Sequence, residues 1–204
     1  PEVWEAFGNS IVVALAAAAL STALGFATAY TDFRYGFRFK PAYHALALLP
    51  PTIPLVIMGL AMLAWLARLG LSGTLAGIVI AHTVMGAPFA MAIIRLRLSQ
   101  MDPSLEAAAW NLGASPWRAM RAVVIPFCLP ALISAFCLTA AVSFDEFLVA
   151  WFVSGLNKTV PVMILEILQG NVDPQINAIG TVVFLTSMTL VIAAQLLIVR
   201  RSAR

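Results

Sequence analysis

Residues 106–126 read EAAAWNLGASPWRAMRAVVIP, the one long stretch with regular polar punctuation between strongly apolar segments. Asp102 and Pro103 just before it form an N-cap and first-turn pair, so a helix is predicted from Pro103 to Leu112. Gly113 stands where a helix C-terminus needs a residue that tolerates positive φ. Ser115 and Pro116 then start a second helix. On the first helix, Leu105, Ala108, Ala109 and Leu112 fall at helical spacing as an apolar stripe, with Glu106 to one side. The stretch is therefore two short helices joined by a glycine turn.

What surrounds this island sets the fold class. Of 204 residues, 62% are hydrophobic and only 10% charged, with a mean hydropathy of +0.96, well outside the range of soluble domains. A bilayer needs about 20 apolar residues of helix. Five stretches meet that length, roughly 9–30, 43–66, 74–94, 127–149 and 178–199. The expected fold is all-α: a single polytopic membrane helix bundle over 1–204, with about five transmembrane helices.

Basic residues set the expected orientation, because cytoplasmic loops carry the Lys and Arg excess. With the N-terminus outside, the inner segments hold Arg34, Arg38, Lys40, Arg95, Arg97, Arg118, Arg121, Arg200, Arg201 and Arg204. Only Arg68 and Lys158 of the twelve basic residues remain outside. Residues 99–126 thus become a cytoplasmic loop, 151–177 a periplasmic loop with a short surface helix, and the C-terminus is cytoplasmic. The net charge of +3 is spread over separate loops as topological anchors, not gathered into a stripe that would bind nucleic acid. Cys128 and Cys137 lie about two and a half turns apart on one span, which rules out a disulfide between them.

No catalytic constellation emerges. His44 and His82 are isolated, with His82 expected as an interhelical hydrogen-bonding residue. Gly155–Thr159, GLNKT, lacks the glycine spacing of a phosphate loop, so the chain has no nucleotide site of its own and binds no cofactor or metal. Asp145 and Glu146 are the costly residues, adjacent acids near the outer end of an apolar helix, with Trp151 marking the interface beyond. As helix neighbours they would point about 100° apart, one toward a solute path and the other into packing. Ser154 to Asn177 reads as a surface or re-entrant helix followed by a cap signal at Asp173 and Pro174, either a cover for the bundle or a docking surface.

The loop resembles that of type I ABC importer permeases, whose pattern is EAA, three residues, Gly, nine residues, Ile, one residue, Leu-Pro. Here the matching residues are Glu106, Ala107, Ala108, Gly113, Val123, Ile125 and Pro126, with four residues instead of three between Ala108 and Gly113, Val for Ile and Ile for Leu. SFDEFLVAWFVSG, VPVMILEIL and DPQINAIGTVVF are similar to the polyamine (spermidine and putrescine) branch. The resemblance implies six helices, the first of which would precede Pro1. It also implies a pair of ATPase subunits docked on the loop, carrying ATP and Mg, a second permease subunit and a periplasmic solute-binding protein in a bacterial inner membrane. Glu106 would then pair with a basic residue of the ATPase, and Asp145 or Glu146 would favour a cationic solute. Related permeases carry thiamine, iron, sulfate or opine-like compounds. A secondary transporter is the rival class, but the internal repeats with matching broken helices that it requires are not visible.

Overall fold

In lipid every backbone polar group must be satisfied within the chain, so long apolar segments fold as helices. The computed structural model describes residues 2–170, 178–186, 188, 189 and 192. Helix α1 (Glu2–Arg34) has Glu2 and Glu5 in its first turn and Arg34 in its last, matching the helix dipole. It is followed by α2 (Lys40–Ala47), a 3-10 turn at Pro50–Thr52, and α3 (Leu55–Arg68). Helix α4 (Leu75–Leu98) is N-capped by Thr74, whose hydroxyl accepts the Gly77 amide. Then come α5 (Ser104–Asn111), α6 (Pro116–Ala119), a wide π turn at Met120–Val124, and α7 (Ile125–Asp145). Helices α8 (Leu148–Val153) and α9 (Val160–Gly170) complete the numbered elements, and residues 178–186 are again helical.

Three helices among the described residues are long and apolar enough to cross a bilayer: Glu2–Arg34, Leu75–Leu98 and the continuous Pro116–Asp145. Two expectations need correction. The stretch 43–66 is not one helix: Pro50, Pro51 and Pro54 split it, leaving α3 only 14 residues long. A proline lacks the amide donor and restricts the residue before it, so three within five positions break the ladder. The expected span 127–149 is displaced as well. It begins upstream at Pro116 and stops at Asp145, with Glu146 in extended conformation (φ −70°, ψ 125°) between α7 and α8. The cap signal at Asp173 and Pro174, most of 190–199, and the basic residues 200, 201 and 204 lie outside the described residues.

Helices α1, α4 and α7 pack on one another, and α3 and α4 pack on α8. Lipid offers little hydrophobic drive for helices to associate, so close backbone approach carries the contact. Gly25 of α1 sits directly on α4, where a Cβ would lie 2.6 Å from the Met91 amide nitrogen and 2.7 Å from Ala90 Cβ. Gly86 of α4 answers it, with room for nothing larger beside the Ser21 hydroxyl. Two apolar cores lie on either side of this small-residue layer. One gathers Met58, Leu66, Ile78, Val149 and Val153 around α8. The other gathers Met91, Ile94, Leu98, Met101, Val124 and Cys128 beneath the α5–α6 hairpin. The hairpin is thereby rooted in the same core that holds α1, α4 and α7.

Candidate functional site

The hairpin is built by local chemistry. The Ser104 amide donates to Asp102 Oδ1 at 2.8 Å, which holds the Asp102 carboxyl below the usual carboxylate range. Gly113 follows α5 with φ +81°, and nothing lies within 4 Å of where its Cβ would be. Its glycine is therefore required by backbone conformation and not by crowding. Ser115 caps the second helix by accepting the Arg118 amide at 3.3 Å, with Pro116 in the first turn. Val123 lies in the wide turn and Ile125 and Pro126 follow it directly. In a regular helix the ring of Pro126 would strike the carbonyl four residues earlier, at Ala122, and the wide turn spans that position.

Glu106 departs from its expected orientation. It is 3% exposed and faces the chain itself. Tyr30 of α1 donates its hydroxyl to Glu106 Oε1 at 2.7 Å, and Arg34 Nε lies 3.6 Å from Oε2. The Arg34 guanidinium in turn lies over the Trp110 ring at 4.3 Å. Its expected basic partner is thus supplied by α1 of the same chain. The face of α5 that points away carries Leu105, Ala108 and Leu112, the last 89% exposed, while Ala107 and Ala109 are partly covered. Arg97 braces the root of the hairpin, donating to the Phe127 carbonyl at 3.1 Å and lying over that ring at 4.2 Å.

At the other end of α7 the two adjacent acids are separated by the helix break. Asp145 is exposed and lines a cavity of about 460 Å³ with Leu55, Met85, Val142 and Leu148. Glu146 contributes to the same wall but is only 9% exposed. Its two oxygens accept the Val149 and Ala150 amides, each at 2.9 Å, so it caps α8. His82 Nε2 lies 3.3 Å from Glu146 Oε2 while its Nδ1 contacts Ser143 Oγ at 2.7 Å, which makes His82 the interhelical residue expected. Asn157 of the GLNKT stretch donates to the Gly73 carbonyl at 2.7 Å and so ties two loops together. Sequence reasoning missed Asp32, a buried carboxylate in contact with Lys40, His44 and Arg95. The available signal was an acid inside an apolar helix shortly before a run of basic residues.

Residues 8–204 match the family described as the binding-protein-dependent transport system inner membrane component. The chain belongs to this family. It is a permease component of an ABC importer, a multi-pass inner membrane protein and a non-catalytic transport subunit. Among its relatives is the spermidine/putrescine transport system permease protein PotC of Haemophilus influenzae, 32% identical over 190 residues, covering 93% of this chain and 74% of that protein. The putrescine transport system permease protein PotI of Escherichia coli is 32% identical, covering 87% of this chain and 66% of PotI. In fold, the chain is similar to a solved structure of the inward-facing MetNI methionine ABC transporter. The TM-score is 0.76 at 19% identity, over 96% of this chain and 92% of that one.

Proposed function

We propose that this subunit forms half of the translocation path for a polyamine or a related small cationic solute, driven by ATPase subunits that dock on residues 102–122. The observation that carries the docking is the outward apolar face of α5, on a hairpin rooted in the α1–α4–α7 core. Movement imposed on the hairpin would reach α1 through Tyr30 and Arg34 on Glu106, and α7 through the continuous helix from Pro116. ATP and Mg belong to the ATPase partner, and a second permease subunit and a periplasmic solute-binding protein complete the assembly. In this reading residues 99–126 and the C-terminus are cytoplasmic, while 151–177 face the periplasm, as the distribution of basic residues indicates.

The cationic solute is supported by the named relatives and by Asp145 on an open cavity wall, where a carboxylate attracts a cation in a partly desolvated space. Uptake of labelled spermidine, sulfate and thiamine by vesicles holding the complete assembly tests it. Spermidine uptake that depends on ATP and falls in Asp145→Asn is the expected result. Uptake of sulfate or thiamine alone would replace the polyamine with another solute class, and uptake by the chain without ATPase would replace the importer with a secondary transporter.

A further inference from the structure

Where α1 and α4 end, a carboxylate is surrounded by more basic groups than it can neutralise. Asp32, on the last turn of α1, is 5% exposed. Arg95 Nε of α4 donates to its Oδ2 at 2.7 Å, Lys40 Nζ lies 3.1 Å from Oδ1, and His44 Nε2 contacts that same oxygen. Lys40 and His44 both come from α2, which has no buried residue and so lies on the bundle as a surface helix. The carboxylate sits inside, whereas the Arg95 side chain is 49% exposed and Lys40 about a third, so the surplus positive charge is at the mouth. These residues line a cavity of about 600 Å³ whose other walls are apolar apart from Ser99, among them Phe33, Leu48, Met91 and Leu96. Leu48 and Leu96 continue onto the exposed surface, beside Leu46 and Leu49.

We propose that this cavity binds the phosphate of an anionic phospholipid, with Lys40 and Arg95 as the phosphate ligands and the acyl chains lying along Leu48 and Leu96. Charge complementarity selects the headgroup: two permanent cations face one carboxylate, and an anionic phosphate restores neutrality. Continuity with exposed leucines selects a lipid over a free anion, because an inorganic phosphate would leave the apolar walls unused. Asp32 is a positioning residue here. It fixes Lys40 and Arg95 side by side, and it also competes with the ligand for the same two cations.

The test is native mass spectrometry of the purified permease with its partner subunits, released from detergent containing either phosphatidylglycerol or phosphatidylcholine. The wild type should retain phosphatidylglycerol preferentially. Lys40→Gln should lower that retention about fivefold, as expected for one basic residue at a charged membrane surface, and Lys40→Arg should restore it. Asp32→Asn should raise retention, because it removes the competing carboxylate, an outcome that a purely structural role for the cluster does not give. Lys158→Gln, at the other end of the molecule and paired with Glu166, should leave retention unchanged. Equal retention of phosphatidylcholine, an effect of Lys158→Gln as large as that of Lys40→Gln, or full displacement by millimolar inorganic phosphate would each overturn the assignment.

Discussion

Glu106 and Glu146 are both buried, and for opposite reasons. Glu106 is held from far away in sequence, by Tyr30 and Arg34 of α1, so its surroundings exist only while α1 and the hairpin stay together. Glu146, although His82 of α4 also lies 3.3 Å from it, chiefly holds its own neighbours, since its carboxylate caps the amides three and four residues ahead. The first is a tertiary latch between two elements, and the second is a local stop that ends one helix and starts another. In a machine whose parts shift relative to one another, the latch feels the movement and the cap travels with its helix.

The largest expected effect therefore falls on the latch. Glu106→Ala strips the acceptor from a tyrosine hydroxyl and an arginine, and hydrogen bonds to a charged group contribute about 1.5–3 kcal/mol. ATP-driven uptake should fall by about tenfold or more, since each 1.4 kcal/mol is a factor of ten, with assembly of the complex retained. Glu106→Gln, still able to accept from Tyr30, should lose less. Wild-type uptake by Glu106→Ala would show that α1 and the hairpin do not act together.

Glu146→Ala should cost stability before it costs coupling, by about 1–2 kcal/mol for the lost cap. Thermal unfolding of the solubilised assembly reports it. If this variant uncouples uptake more severely than Glu106→Ala, the roles of latch and cap are reversed. An effect no larger is expected at Gly113. With φ +81° and open space around it, Gly113→Val carries only the backbone penalty of about 1–2 kcal/mol, shared between folding and hairpin shape. Asn tolerates that conformation, so Gly113→Asn should retain most of the uptake that Val loses; equal loss in both would mean the space is filled by a docked partner.

The smallest effect concerns Asp102, which is fully exposed. Its carboxyl titrates below its ordinary value, near 3.9 in an unfolded chain. The stabilisation of the α5 start is therefore present above that value and lost as pH falls through the lower, folded one. Amide exchange at Ser104 should be protected at neutral pH in the wild type and in Asp102→Asn, and less protected in Asp102→Ala. Unchanged protection in Asp102→Ala would remove the cap from the account.

The same division explains what could be read from the residues alone. The hairpin was legible because its signals are local: Asp102 on Ser104, Ser115 on Arg118, and a glycine at the turn. The family resemblance drew on that same loop, and the match over 8–204 agrees with it. The interruption at 50–54 was written in prolines, but membrane helices can tolerate them, so the length of the apolar stretch decided the reading. Likewise, the carboxylate at 146 lay three residues before the Val149 amide it accepts, a capping distance, yet the apolar residues on either side of the acid pair suggested a continuous helix. The inward turn of Glu106 could not have been read at all, because Tyr30 is 76 residues away. Asp32 was half legible, since Lys40 and His44 follow it by 8 and 12 residues while Arg95 lies 63 residues beyond it.

The wide turn at Met120–Val124 closes with the Ile125 amide on the Met120 carbonyl, one residue more than an α turn holds. It works as a spare tooth in a gear. Deleting a single residue there would force a regular α-helix on Pro126, whose ring would then meet the carbonyl four residues earlier, a clash of about 3 kcal/mol. The extra residue is therefore what lets one rod run from the hairpin into the span through a proline, and a deletion at this point would kink or break the joint between them.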